Sequence, residues 1–289
     1  PAKGEIRVRQ TAIGVNYLDT YFRSGLYKAP QLPFIAGNEA AGEVVAVGEG
    51  VTGFAKGERV AYVVTFGCYA GERNVPANMA VKLPSGVSDE VAAAMMLKGL
   101  TAEYLLTILV HAAAGGVGQI LTQWGKHLGA TVIATVGTEE KAALAKSLGA
   151  DHVILYRTED VAKRVGEITN GAKCHVVYDG VGKSTFEGSL DSLRPLGILA
   201  SFGNASGPVQ AFDLGILGPK GSLFVTRPTL FTFIQKREWL EEMAARLFAV
   251  VGNGAVKIDI TRRAKLSEAA DVHRALEGRE TTGAMILTP

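Results

Sequence analysis

Apolar and polar residues alternate from Ile6 to Ile13, and apolar residues cluster again over Ala40–Val47, Glu58–Val64 and Ala80–Leu83, with glycine or proline near each stretch. That period-two and clustered patterning predicts strands, so the first third of the chain reads as β-rich and turn-rich. Ser88 is placed as an N-cap with Glu90 in the first turn, which predicts a helix running through Met96.

The rhythm then changes. A helical stretch, Thr101–Ile108, is followed by apolar strands at Leu109–Ala113, Thr131–Val136, His152–Tyr156, His175–Tyr178 and Gly197–Phe202. Between them lie helical stretches at Val117–Leu128, Glu139–Leu148, Asp160–Thr169 and Thr185–Leu193, and a further strand, Ser222–Thr226, precedes Pro228. Strict strand–helix alternation with short connections predicts an α/β fold with a doubly wound parallel sheet covered by helices. The tail adds an amphipathic helix, Arg237–Val251, a strand, Ala255–Ile260, a helix, Ser267–Leu276, and a strand, Ala284–Leu287. The expected organisation is a β-rich domain, residues 1–98 plus 229–289, interrupted by a nucleotide-type domain, residues 99–228.

The chain opens without Met, already in strand alternation, which suggests a missing N-terminal piece. Helix Thr101–Ile108 and strand Leu109–Ala113 share almost no connecting residues, as if a loop near Leu106–Leu109 were absent. The uncharged run Tyr104–Gly125 has the length of a membrane span. It holds His111, Gln119, Gln123 and a glycine cluster, however, and reads better as a buried strand, turn and helix. The first ten residues carry four charges and no signal-peptide core.

Composition narrows the partners. With 30 Lys+Arg against 28 Asp+Glu the net charge is +2, and no basic–aromatic stripe advertises nucleic acid. Two cysteines, Cys68 and Cys174, are too few for a disulfide framework, which points to a reducing, cytoplasmic setting. The 35 glycines are the outlier, and they imply close backbone approach to a ligand such as a nucleotide.

The most informative segment is the run Leu109–Gly118, LVHAAAGGVG, in which a buried strand feeds a glycine turn and then a helix. Helix N-terminal amides favour a pyrophosphate there. Gly115, Gly116 and Val117 lie at the turn, and Gly118 permits close helix–sheet packing. Ala113 stands where the first glycine of G-x-G-x-x-G is usual, so the turn alone also fits a purely structural role; the strand–helix context favours dinucleotide binding. An NAD site places an acid at the tip of the second strand. Here the tip is Gly137 and Thr138, with Lys141 one helical turn on, and Tyr156 and Arg157 follow the third strand. Lys141 suits a 2′-phosphate as a point charge, against the alternative of an ordinary solvated helix lysine. The expected cofactor is NADP(H).

These segments, with Asn16–Tyr27, Gly37–Gly42, Leu97–Thr101, Ser201–Asn204 and Gly221–Pro228, resemble the medium-chain dehydrogenase/reductases, and within them the quinone oxidoreductases related to zeta-crystallin. The resemblance covers nearly the whole chain. It implies a Rossmann domain inserted into a GroES-like catalytic domain, and a homodimer paired along the Ser222–Thr226 strand. It implies that Asn16, Tyr21 and Tyr27 line the acceptor crevice, with Asn16 also near the cofactor. Thr101, Ser201, Phe202, Gly203, Phe224, Val225 and Thr226 would flank the nicotinamide and its ribose, and Arg279 would reach the cofactor from the tail. Tyrosines in such a segment also serve as plain packing.

Zinc-dependent members of that family carry Gly-His-Glu where this chain has Gly37-Asn38-Glu39, a ligand cysteine near the Asn16 segment, and a four-cysteine lobe. None is present, and five scattered histidines do not offer tetrahedral spacing. No metal is therefore expected. Without a Lewis acid the acceptor must be electron-poor, so a quinone or conjugated enone is the expected substrate, held against the nicotinamide in a dry crevice. Two alternatives remain: an NADPH-dependent enal or enoyl-thioester reductase, and an NADPH-binding structural or RNA-binding protein.

Overall fold

Period-two burial along β1 (Glu5–Gly14) turns Ile6, Val8, Gln10 and Ala12 inward, and a whole sheet is built on this strand. β2 (Glu39–Val47) runs antiparallel along it, β13 (Ala284–Thr288) pairs its end, and β4 (Glu72–Pro76) pairs its beginning. With β3 (Arg59–Val63), β5 (Ala80–Lys82) and β12 (Ile260–Lys265) the order is β12-β13-β1-β2-β3-β5 in a seven-stranded sheet, β4 lying off that path. Ile6, Val8, Ile13, Val44, Tyr62 and Leu287 form the centre of its core. Two helices of this part precede the second sheet, α1 (Tyr17–Arg23) and α2 (Asp89–Glu103), at whose start Ser88 Oγ accepts the Val91 amide at 3.3 Å; the tail helices follow that sheet.

The second sheet has six strands, all parallel. Along the chain come β6 (Leu109–Val110), α3 (Gly116–His127), β7 (Ile133–Val136), α4 (Glu139–Ser147) and β8 (His152–Leu155). Then follow α5 (Val161–Ile168), β9 (Cys174–Asp179), α6 (Phe186–Asp191), β10 (Leu193–Ser201) and β11 (Phe224–Thr226). The spatial order β11-β10-β9-β6-β7-β8 is the dinucleotide-binding winding, with its switch point beside β6. Leu109, Ile133, Ile154, Val177 and Leu199 are buried at its centre, as strands covered on both faces require. The tail adds α7 (Leu230–Phe233), α8 (Arg237–Gly252) and α9 (Ala269–Glu277).

This computed structural model describes residues 1–29, 31–103, 109–278 and 281–289, with backbone only at 101–103. It divides into two compact units, Pro1–Leu100 with Phe233–Pro289, and Thr101–Thr232. The α/β class with an inserted parallel sheet is as expected from the sequence.

Several element boundaries differ from expectation. β6 stops at Val110, because Ala112 adopts a positive φ of 53° and turns the chain. Helix α6 ends at Asp191, and Leu193 already pairs with Cys174 in β10. Ser222, at φ 54°, is a turn residue, so β11 begins at Phe224. In the tail the strand is Ile260–Lys265, not Ala255–Ile260: the Val256 amide is tied back to Val250 O, while the charged segment that follows pairs with β13. Helix α1 and strand β4 carry no clear periodicity and were not foreseen. The junction expected near Leu106–Leu109 falls largely at 104–108, outside the described residues, as does the end of helix Thr101–Ile108. Residues 109–125 of the uncharged run are strand, turn and helix, and among the described residues no helix is long and apolar enough to cross a membrane.

β1 and β2 approach closely at Gly42, where a Cβ would lie 2.1 Å from Arg9 O. Gly42→Ala is expected to destabilise the first unit by about 1–3 kcal/mol through this overpacking. Urea unfolding checks it, and an unchanged midpoint would contradict the tight pairing.

Candidate active site

The glycine turn begins where β6 ends. His111 N still donates to Tyr178 O of β9 at 3.0 Å, after which Ala112 reverses the chain and the Gly115 amide closes on Ala112 O at 2.9 Å. Gly115 is the extended N-cap of α3 and has no side chain to cap it, so the first amides of this helix are left to a ligand or solvent. At Gly118 a Cβ would lie 2.4 Å from Ala112 O and 2.7 Å from Ala113 Cα, so only glycine lets the helix seat on the turn. Gly115 has just one neighbour inside 3.4 Å, Ala112 O, so its open side is free for close approach.

Beneath the turn lies a buried polar chain. Asp179 Oδ1 accepts the amides of Val181 and Gly182 at 2.8 and 2.9 Å, and Oδ2 accepts the hydroxyls of Thr185 and Ser189 at 2.7 and 2.8 Å. Because Ser189 gives its proton to the carboxylate, its oxygen accepts from His111 Nε2 at 3.1 Å, and His111 Nδ1 accepts from Thr135 Oγ1 at 2.9 Å. Burial pushes the His111 pKa down against the opposing pull of Asp179, so the imidazole is the neutral Nε2–H form. His111 is thus a fully satisfied core histidine that ties β6, β7, β9 and α6 together under the turn.

At the end of β7, Gly137 leaves room for its neighbour strand: a Cβ there would be 2.7 Å from Tyr156 Oη and 3.2 Å from Arg157 Nε. Thr138 Oγ1 accepts the Lys141 amide at 3.3 Å and caps α4. Lys141 is partly buried, and desolvation and then the Arg157 guanidinium lower its pKa, with Glu140 opposing. Two cations therefore face one another beside a glycine tip that carries no carboxylate. After β10, the Phe202 ring packs on Gly180, and a Cβ at Gly203 would be 2.4 Å from Gly180 O. Ser201 is buried, and its carbonyl accepts from Arg227 Nη1 at 2.7 Å. Phe224, Val225 and Thr226 form edge strand β11 beside Ile198–Ala200. All these segments follow or form strands of one parallel sheet, so its topology gathers Gly115, Gly116, Val117, Gly118, Gly137, Thr138, Lys141, Tyr156 and Ser201–Gly203 at the carboxyl edge. The Thr101 side chain and Arg279 lie outside the described residues.

The other unit holds Asn16, Tyr21 and Tyr27. Asn16 precedes α1, and its amide Nδ2 donates to Glu39 Oε1 at 2.9 Å. Tyr21 and Tyr27 meet edge to face at 5.3 Å, with Phe22 5.6 Å from Tyr27 and 4.4 Å from Phe66. These rings make an aromatic wall that holds the chain after α1, where the Tyr27 amide donates to Tyr21 O at 3.0 Å.

Behind that wall sits a charged network that the sequence reading missed. Lys98 Nζ donates to Glu39 Oε1 at 2.6 Å and the Leu97 amide to Oε2 at 2.6 Å, with Glu39 at 0% and Lys98 at 8% side-chain exposure. A Cβ at Gly14 would lie 2.3 Å from Glu39 Oε1, so the carboxylate depends on that glycine. Asp19 accepts the Asn16 amide at 2.8 Å, Asn38 Nδ2 at 2.6 Å and Tyr69 Oη at 3.3 Å. Desolvation still pushes Asp19 up to about 6, against the Asn16, Asn38 and Lys98 contributions. Tyr69 Oη reaches on to His273 Nε2 at 2.7 Å. The available signal was Lys98 itself, the one charge between Val91 and Ala102. Its partner, 59 residues away, could not be read.

Zinc does not fit this donor set. The Asn38 amide is held by Asp19, the Asn16 amide by Glu39, and an ammonium already occupies the buried carboxylate. Among the described residues no group of three or more His, Cys, Asp or Glu is disposed to hold a metal. A dinucleotide does fit the second unit, where the amides at Gly116 and Val117 start a helix whose N-cap, Gly115, has no side chain, and where Lys141 and Arg157 lie near the glycine tip at Gly137.

Residues 2–107 match the family of alcohol dehydrogenase GroES-like domains, and residues 116–248 the family described as zinc-binding dehydrogenases. The chain is 52% identical to a quinone oxidoreductase of Pseudomonas aeruginosa over all of its own length and 92% of that protein. It is 44% identical to a 2-haloacrylate reductase of Burkholderia, again over its whole length and 92% of the relative. Among solved structures, it superposes with a TM-score of 0.97 on the Escherichia coli quinone oxidoreductase complexed with NADPH, at 47% identity over 100% of this chain and 93% of the other.

Removing one member of a buried ion pair strands the other. Lys98→Met is expected to cost about 3–5 kcal/mol, and adding Glu39→Gln to recover most of it. Guanidinium unfolding of the single and double variants checks this; equal stability of the two would show that the pair is not electrostatically coupled.

Proposed function

The chain belongs to the quinone oxidoreductases of the medium-chain dehydrogenase/reductase family, and from that premise we propose that it is an NADPH-dependent enzyme that reduces quinones and similar conjugated carbonyl acceptors. The observation that carries the cofactor half is the carboxylate-free tip at Gly137, with Tyr156 and Arg157 packed on it and Lys141 one helical turn on: a 2′-phosphate would meet two cations there, and an unphosphorylated adenosine would offer them nothing. When bound, NADPH supplies two electrons and a proton from its nicotinamide.

The protein's own residues do the rest. The α3 amides at Gly116–Gly118 bind and neutralise the pyrophosphate, while the neutral His111 chain keeps the turn rigid without adding charge. Lys141 and Arg157 hold the adenosine phosphate, with Tyr156 beside them. Ser201–Gly203, held close by Gly180, and strand β11 flank the nicotinamide side, with Thr101 and Arg279 as further proposed contacts. Asn16, Tyr21 and Tyr27 take the acceptor: an amide and two phenols can hydrogen-bond its carbonyls, and the rings offer a flat apolar wall that excludes water.

Reduction of a conjugated alkene is a second reading, supported by the 2-haloacrylate reductase relative, since an acrylate carries its double bond conjugated to a carboxylate. Both buried cysteines are free thiols, in keeping with a reducing compartment such as the cytoplasm. The exposed edge strand β11, with Phe224 at 58% exposure, suits pairing with a second copy.

Two measurements test this. NADPH should support p-benzoquinone reduction far better than NADH, and Lys141→Ala should weaken NADPH binding roughly 10- to 100-fold while leaving NADH nearly unchanged; equal losses would remove Lys141 from phosphate recognition. Sedimentation equilibrium should return twice the mass of one chain, and a monomer would dismiss the paired edge.

A further inference from the structure

The Glu39–Lys98 pair has more hydrogen-bonding capacity than its partners use. Glu39 accepts three hydrogen bonds: Lys98 Nζ and Asn16 Nδ2 share Oε1, and the Leu97 amide takes Oε2. Lys98 brings three N–H groups and Asn16 two, and one of each goes to that shared oxygen. The carboxylate therefore holds an ammonium and an amide side by side, each with donors left over, in a place with almost no solvent to screen them. Asn38 is turned away, its amide on Asp19.

We infer that Lys98, fixed on Glu39 beside Asn16, supplies the positive charge and the hydrogen bond that stabilise negative charge on the acceptor's carbonyl oxygen, the part a metal would otherwise play. This rests on the quinone-reductase reading above. A hydride from NADPH, which would become NADP⁺, would form the new C–H bond on the acceptor; the displaced π pair would come to rest on the carbonyl oxygen as C–O⁻, and water would supply the remaining proton, its hydroxide passing to solvent. A fixed cation lowers the energy of that oxyanion, and lowers it most for acceptors that are least electron-poor. Lys98 is then a determinant of acceptor range: quinones need it little and simple enones need it a great deal.

The test uses Lys98→Met/Glu39→Gln, in which both charges leave together and no ion is stranded, so that it folds even where Lys98→Met alone does not. NADPH affinity measured by nicotinamide fluorescence serves as the folding control. In the first readout, 4-nitrophenol is titrated in the site by absorbance. Bound to the wild type it should ionise at lower pH than in water, and bound to the double variant at or above its value in water. In the second, rates are compared from p-benzoquinone to 2-cyclohexenone, and the double variant should lose roughly tenfold or more on the enone relative to the quinone. Parallel losses across the series, or a nitrophenol titration unmoved by the substitutions, would overturn the inference and leave the pair a structural one. A wild type that reduces no acceptor at all would instead sink the underlying reading, while the nitrophenol titration would still decide whether Lys98 presents its charge.

Discussion

A carboxylate with no solvent exposure and an ammonium with almost none sit 2.6 Å apart in the first unit, and much of that unit is arranged to make this tolerable. Gly14 has no side chain because Glu39 needs the space, the Leu97 amide turns toward the second oxygen, and the Asn16 side chain completes the set. The pair also draws together β2, α2 and the segment ahead of α1, three parts of the chain far apart in sequence. Desolvating two charges is costly, and such a pair is retained where it does something an apolar pair cannot. Fixing the Asn16 side-chain amide in one orientation ahead of α1 is one such thing.

The second unit solves a different problem. An anionic dinucleotide must sit on a buried sheet edge without bringing a compensating buried cation. The glycine turn offers backbone amides at the start of α3 with a neutral imidazole beneath them, and the side-chain cations Lys141 and Arg157 lie apart from it, near the tip at Gly137. Asp179 is the anchor. Its four hydrogen bonds set the direction of the Ser189 hydroxyl, and that in turn sets the tautomer of His111. Asp179 thus anchors the floor of the glycine turn through partners on the segment that follows β9 and on α6.

The two units differ in how legible they are. The parallel sheet announces itself because its central strands are buried on both faces and two of its helices carry side-chain caps: Thr138 and Asp160 accept amides at 3.3 and 2.9 Å, and Gly149 takes the φ of 100° that ends α4. In the antiparallel unit, α1 is only seven residues long and β4 buries a single side chain, Val75, so neither carries enough periodicity to be read. The strand of the tail was misplaced for a related reason. Ile260–Lys265 is an edge with Thr261, Arg263 and Lys265 turned outward, and what makes it a strand is its partner β13 rather than its own composition.

The amino-acid order by itself determined the α/β class, the glycine turn, the carboxylate-free strand tip and the absence of the usual zinc-ligand residues at Asn16 and Asn38. Each of these is local, written in a dozen or so neighbouring residues through periodicity, backbone freedom or ligand chemistry. Only the tertiary structure decided that Lys98 meets Glu39, that Asp19 gathers Asn16, Asn38 and Tyr69, and that His111 is neutral. Those properties depend on burial and on partners tens of residues away, and the cost of burying a charge exists only once the chain has closed around it.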